Sequence, residues 1–257
     1  MDRVGQIPRR AMSFPDVPRP ELSVVIPFFN EVPNVPVVLA ELRTTLDALG
    51  ATAEAIAVDD GSNDETPAVL EAWSRDWPAL RLERFAQNRG QAAALWRGFE
   101  MARGRWIAML DGDGQNPPAE LARLWALRET ADMLAGLRTG RRDSRLRRGM
   151  SRVANFTRRL LLRDGVSDSG CSLKLFRREV AGSFLPLRTL YSFLPAFAAA
   201  GGWSVREVPV AHRPRQAGVS KYGLRVMAVL PLLDLLALCW LLRRTVKRNA
   251  PRAADRR

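Results

Sequence analysis

An α/β fold built on a mostly parallel, doubly wound sheet is the reading on which three features of this 257-residue chain converge. Short apolar runs alternate with helical patterns from Leu22 onward, as strands joined by crossover helices do. The runs are almost continuously apolar, the mark of strands buried on both faces. Polar clusters then follow several runs at their carboxyl ends, where ligands bind in such sheets. At this length the chain can bury a substantial core.

Residues 1–20 are rich in Pro and Arg, and read as a disordered basic arm without a signal-peptide pattern, so a cytoplasmic location is expected. Leu22–Pro27 is the first strand, and Pro36–Leu49 a helix stopped by Gly50. Ala53–Asp59 is the second strand, and Thr66-Pro67 pairs an N-cap with a first-turn proline. Leu80–Phe85 is the third strand. Gln91–Ala102 carries Ala92, Leu95, Trp96 and Phe99 on one helical face. Trp106–Leu110 is the fourth strand, Pro118–Arg128 a helix and Asp132–Leu137 a fifth strand. Beyond it the pattern is less regular: a helix over Met150–Leu162, a turn at Asp168–Cys171, and strands over Ser172–Phe176 and Trp203–Pro209.

The polar clusters are Asn30-Glu31, Asp59-Asp60-Gly61-Ser62 and Asp111-Gly112-Asp113-Gly114-Gln115. The last is the most informative. Two carboxylates two residues apart at a strand end can converge on one point, where they repel unless a cation lies between them. Hard divalent ions such as Mg²⁺ or Mn²⁺ take oxygen ligands and bridge to substrate phosphates. The bland reading is an acidic turn closing a strand. No G-x-G-x-x-G or G-x-x-x-x-G-K-[ST] occurs, so neither a dinucleotide fingerprint nor a P-loop is supported.

Net charge is +13, and almost all of the 40 basic residues are arginines. Such a surface suits phosphates, nucleic acid or anionic headgroups, although an arginine-rich composition can also follow from GC-rich coding. Arg138, Arg141, Arg142, Arg145, Arg147 and Arg148 crowd the chain after the fifth strand, as a solvated loop or as part of the site edge. With Cys171 and Cys239 far apart and His212 the sole histidine, neither a disulfide framework nor a multi-histidine metal site is implied.

Val226–Leu242 is nearly all apolar, with Arg225 before it and Arg243, Arg244, Lys247 and Arg248 after it. As a helix it spans about 26 Å at ~1.5 Å per residue, short of a ~30 Å hydrocarbon core. Asp234 would cost about 2.5–3.5 kcal/mol at mid-bilayer, and Pro231 interrupts the run. A helix over residues 224–243 lying in the membrane interface fits best, ahead of a core helix or a single pass, with 244–257 a basic tail.

Taken in order, these segments resemble the inverting family 2 glycosyltransferases, and within them the dolichyl-phosphate mannose synthase group and its bacterial polyprenyl-phosphate relatives. The resemblance is carried by Val25–Glu31, Val58–Ser62, Asn88–Gln91, Asp111–Pro118, Gly136–Arg138, Asp168–Gly170 and Arg215–Tyr222. It runs from Leu22 to about Gly223, which gives a catalytic domain over 21–223 and implies a glycosyltransferase A-type fold. By that resemblance Pro27, Phe29, Glu31, Val58 and Asp60 hold the base and ribose of a nucleotide-sugar. Asp111 and Asp113, with Gly112 and Gln115, hold Mg²⁺ or Mn²⁺ and the diphosphate. Arg138, Arg215 and Lys221 contact phosphates of the donor or of a polyprenyl-phosphate acceptor, and Ser220 donates a hydrogen bond. Phe29 stands where the family has a tyrosine, and Asp-Gly-Asp where it has Asp-Ala-Asp.

The expected activity is metal-dependent, inverting sugar transfer to polyprenyl phosphate at the cytoplasmic membrane face, in cell-envelope biogenesis. The alternative within the family is transfer to a sugar hydroxyl with Asp168 or Asp164 as base; the Q-x-x-R-W signature of processive synthases is absent. A nucleic-acid-binding module is the third reading. It leaves the paired carboxylates unexplained and lacks aromatics within the arginine cluster, so no nucleic acid partner is expected.

Overall fold

Leu22–Phe28 (β1) is buried at every position, and its alternate side chains feed two cores. Leu22, Val24, Ile26 and Phe28 face one cluster while Val25 faces the other, so helices are needed on both sides. The computed structural model describes residues 19–139, 158, 161–162, 165–214 and 233–240. Within them β1, β2 (Ala53–Asp59), β3 (Leu80–Arg84), β4 (Trp106–Met109), β5 (Met133–Thr139), β6 (Lys174–Arg177) and β7 (Val205–Ala211) form one sheet. Its order is β3-β2-β1-β4-β6-β5-β7. Every pairing is parallel except those of β6, which runs antiparallel to both β4 and β5. The expected parallel sheet is therefore mixed by one reversed strand.

Helix α1 (Val35–Leu49) buries Val35, Val38, Leu39, Leu42 and Leu46, a 3–4 spacing that lays one stripe on the first face. It ends as expected at Gly50, whose φ of 62° is a left-handed C-cap that favours glycine. Helix α2 (Thr66–Asp76) covers the same face, and α3 (Gln91–Met101) the opposite one, burying Ala94, Leu95 and Phe99. The helix expected over Pro118–Arg128 is segmented: a 3₁₀ turn (Pro118–Glu120), α4 (Leu121–Ala126) and a second 3₁₀ turn (Arg128–Thr130). Arg128 stacks over the Trp125 ring at 4.2 Å and donates to the Trp125 carbonyl, which satisfies an end carbonyl early.

An unforeseen helix, α5 (Leu190–Ala200), packs on the second face with Phe193, Leu194 and Phe197 in an aromatic-rich cluster around Phe99, Phe176 and Phe184. Residues 233–240 form a further helix, α6, whose Leu235 and Leu238 join that cluster. Among the described residues no helix is long and apolar enough to cross a membrane. Most of the helix expected over Met150–Leu162 falls outside the described residues.

Candidate active site

The carboxyl ends of β1, β2 and β4 lie side by side, with Phe28 paired to Asp59 and Val25 to Met109. Their loops are stitched together. Asp60 N–H donates to the Phe28 carbonyl, Asn30 N–H to Ser62 Oγ and Asn63 N–H to Asn30 Oδ1. Asn30 takes a φ of 50°, which asparagine tolerates better than most residues.

Asp60 organises the next loop. Its Oδ1 accepts from Arg89 N–H at 2.8 Å, and its Oδ2 from Gly90 N–H at 2.9 Å and Asn88 Nδ2 at 3.0 Å. Hanging residues 88–90 on one carboxylate fixes the start of α3. From there Gln91 Nε2 donates to Asp111 Oδ1 at 2.6 Å. Ser172 also hydrogen-bonds Asp111, and itself accepts from Asn116 Nδ2 at 2.6 Å. Asp113 Oδ1 accepts from Gln115 N–H, closing a tight turn on its own backbone. The residue between the two acids has no room for a side chain: a Cβ on Gly112 would stand 2.4 Å from Phe28 Cδ1 and 2.8 Å from the Pro27 carbonyl oxygen. Packing against Phe28 thus accounts for Asp-Gly-Asp in this chain.

The electrostatics are those of a site, not of a salt-bridged scaffold. Asp111 is half-buried, and desolvation first, then the Asp113 charge, pushes it up to about 6. The Ser172 hydrogen bond and the charges of Lys174 and Arg138 offset part of that push. Lys174 is wholly buried on β6, and burial pulls it down to about 8. Its ammonium donates to the carbonyls of Ser169 and Cys171, holding the loop that carries Asp168 and Ser172.

Arg138, at the carboxyl end of β5, forks onto Asp168 with Nε–Oδ2 and Nη2–Oδ1 both at 2.7 Å. Glu207 on β7 buttresses that loop by accepting from the backbone N–H groups of Ser167 and Asp168, each at 2.8 Å. Tyr191, near the start of α5, is half-buried, and burial pushes its phenol up from the ordinary tyrosine value.

The residues picked from sequence fall as follows. Asp111, Asp113, Gly112, Gln115 and Arg138 gather at one edge of the sheet, with Asp113 buried and the Gln115 carbonyl accepting from Arg213 N–H at 2.8 Å. Phe29 is half-buried at the end of β1, beside buried Pro27. Glu31 is buried; its Oε2 accepts from Asn34 Nδ2 and its N–H donates to Thr66 Oγ1. The Val58 side chain is wholly buried in the core, which leaves only its backbone to offer a ligand. Asp60 braces the 88–90 loop. Arg215, Ser220, Lys221 and Asp164 lie outside the described residues. Sequence reasoning assigned no role to Gln91, Asn116, Ser172, Lys174, Tyr191 or Glu207; the partners of Gln91, Asn116, Ser172 and Glu207 are distant in the chain, whereas Lys174 holds the nearby carbonyls of Ser169 and Cys171. Among the described residues no three His, Cys, Asp or Glu side chains converge as a metal cage. Asp111 and Asp113 stand side by side as hard-oxygen groups of the kind that Mg²⁺ or Mn²⁺ takes.

Known proteins are similar to this chain in sequence and in fold. The sequence profile described as Glycosyl transferase family 2 matches residues 23–184, and the chain belongs to that family. An undecaprenyl-phosphate 4-deoxy-4-formamido-L-arabinose transferase of Pseudomonas paraeruginosa is 36% identical over 220 residues, covering 85% of this chain and 64% of the relative. A dodecaprenyl-phosphate galacturonate synthase of Rhizobium johnstonii is 36% identical over 230 residues, covering 87% of this chain and 68% of the relative. The chain thus spans just under two thirds of the first of these relatives. In fold it is similar to a Pyrobaculum calidifontis mannosyltransferase in complex with GDP-Man and Mn²⁺, with a TM-score of 0.63, 22% identity and coverage of 90% and 66% of the two chains. Glucosyl-3-phosphoglycerate synthase of Mycobacterium tuberculosis gives a TM-score of 0.65 at 18% identity, covering 92% and 89%. Both likenesses support the glycosyltransferase A-type architecture.

Proposed function

We propose that this protein transfers a sugar from a nucleotide-sugar, with inversion, to a polyprenyl phosphate at the cytoplasmic face of the membrane, with Asp111 and Asp113 holding Mg²⁺ or Mn²⁺. The observation that carries the reading is the convergence of Asp111 and Asp113 with Arg138 at the carboxyl edge of the sheet. The relatives whose names specify undecaprenyl- and dodecaprenyl-phosphate support the acceptor class. A divalent cation on the two carboxylates would neutralise charge building on the departing diphosphate.

The chain's own residues supply the rest. Gln91 and Ser172 lock Asp111 in one rotamer, and the Asx turn locks Asp113, so neither must reorganise as charge develops. The ends of β1 and β2, with Phe29 and Glu31, provide the nucleoside edge. A phosphate monoester has its second pKa near ~6, so at neutral pH it is an ionised nucleophile that needs positioning and no base. Arg138 is the described cation placed to position it, with Arg215, Ser220 and Lys221 proposed alongside.

The sugar-hydroxyl alternative needs a carboxylate base. Asp168 has both oxygens within 2.7 Å of Arg138 nitrogens, an arrangement suited to orienting an arginine. That favours the phosphate acceptor. The test is product analysis with Mn²⁺, a nucleotide-sugar panel and undecaprenyl phosphate. A lipid-extractable, mild-acid-labile glycosyl phosphate is expected; a water-soluble glycoside alone would overturn the reading.

A further inference from the structure

Asp234 is the sole acid in the apolar run Val226–Leu242, and the reaction gives it nothing to do. Its Oδ2 accepts from the Thr189 hydroxyl at 2.6 Å and from Thr189 N–H at 3.2 Å. Thr189 is the N-cap of α5 and makes no side-chain capping bond of its own. The carboxylate on α6 therefore does the capping from another helix, and its charge also suits the positive end of the α5 dipole. Phe193, Leu194 and Phe197 of α5 share one core cluster with Met133 of β5 and Phe176 of β6, so Asp234, by holding the start of α5, ties α6 to the sheet whose carboxyl edge carries Asp111 and Arg138.

Helix α6 has two apolar sides. Leu235 and Leu238 are buried against the core cluster of α5, while Leu233, Leu236 and Trp240 are 55%, 54% and 62% exposed. Positions 233, 236 and 240 follow the i, i+3, i+7 spacing of one helical stripe. Arg225 precedes this run, and Arg243, Arg244, Lys247 and Arg248 follow it. An apolar stripe bracketed by cations is complementary to an anionic bilayer, whose interior takes the side chains and whose headgroups take the charges.

We propose that Asp234 is a positioning residue. By capping α5 it sets the bilayer-docking stripe of α6 at a fixed height and angle to the Asp111–Arg138 cleft, so that a docked membrane presents its lipid phosphate to that cleft. This rests on the polyprenyl-phosphate reading above and adds how the acceptor is registered. The latch touches neither the β1–β2 edge nor the paired acids, so it governs acceptor delivery and leaves donor binding alone. Leu235 and Leu238 keep α6 packed when the carboxylate is removed.

The experiment compares the full-length protein with Asp234→Ala and Asp234→Asn. Each is assayed on phosphatidylglycerol-containing vesicles carrying undecaprenyl phosphate, and on a water-soluble short-chain prenyl phosphate. For Asp234→Ala, vesicle co-sedimentation and the nucleotide-sugar KM are retained and kcat on the embedded acceptor falls about tenfold or more. Turnover of the soluble acceptor stays within about threefold. The Asp234→Asn variant keeps an acceptor oxygen and restores most of the loss. Unchanged turnover of the embedded acceptor by Asp234→Ala overturns the latch. So does an equal loss on both acceptors, which would make Asp234 a folding residue only. A wild-type protein that ignores vesicles and self-associates through Trp240 overturns the docking surface. Wild-type failure on both acceptors is a different result: it sinks the proposed reaction itself.

Discussion

Glu54, at the amino end of β2, and Asp111, just past the carboxyl end of β4, are acids set into opposite ends of one sheet, and their surroundings are opposite as well. Glu54 accepts from Ser23 Oγ at 2.7 Å, from Arg103 through its backbone N–H, Nε and Nη2, and from Arg81 Nη1. Burial alone would raise its pKa, yet the bonds from Arg103, Ser23 and Arg81 together hold it below the ordinary glutamate value. Asp111 has a second carboxylate beside it, and burial and that neighbour push it up to about 6. One end of the sheet spends its charges on holding strands together. The other keeps two like charges close, an arrangement that favours an incoming cation.

The sharpest way to break this contrast is to delete an acid at each end. Asp113→Ala should lower kcat/KM on the order of 100-fold or more while the metal-free melting temperature holds or rises, because a like charge has been removed. Steady-state kinetics beside thermal scans checks both halves; near-normal turnover counts against the metal assignment. Glu54→Gln should do the reverse. It leaves Arg103 and Arg81 short of a charged partner and costs about 2–3 kcal/mol, below the range for a fully buried pair because both arginines are partly exposed. Denaturant unfolding reads that loss, and kcat/KM of the folded fraction should be unchanged.

The smallest effect is on pH. A raised carboxylate binds its proton more tightly in the folded than in the unfolded chain. Asp111 therefore contributes stability at low pH that is lost as pH rises from its ordinary value of 3.8 through about 6. Glu54, being depressed, contributes stability above its ordinary value of 4.5 that is lost only as pH falls through its lower folded value. Between pH 7 and 5 in chelator, the melting temperature should gain about 2–4 °C from Asp111, with Glu54 silent. Added Mn²⁺ should give a smaller thermal shift at pH 5 than at pH 7. A flat chelator profile in Asp111→Asn, against a rising one in the parent protein, assigns the effect.

The first half of this architecture was legible because its signals are local. Buried runs such as Val24–Ile26 and the Gly50 stop each depend on a few adjacent residues, and the acids at the strand ends follow once strands are placed. Thr66, read as an N-cap, is instead the first residue of α2 after Glu65, and its hydroxyl accepts from Glu31 N–H across the site edge. Helix α5 escaped because Leu190–Ala200 is apolar nearly all round and contains Pro195, so neither a 3.6-residue stripe nor an unbroken helical pattern marks it. The direction of β6 escaped because Lys-Leu-Phe-Arg reads the same in either orientation. Gln91 and Thr189 act on partners 20 and 45 positions away, and Ser172 on one more distant still. No local spacing carries such pairings.

The reversed course of β6 has a consequence for how the molecule can be altered. A parallel strand at that place would bring its following loop to the catalytic rim. Here the segment ahead of the strand arrives there instead, carrying Asp168 and Ser172. The segment after it departs toward the other edge, where Arg178 N–H meets the Arg105 carbonyl and its guanidinium the Arg103 carbonyl. Sequence exchanged between Gly165 and Ser172 would therefore retune substrate handling without disturbing the Glu54 knot, whereas grafts just after Arg177 would strike the foundations first.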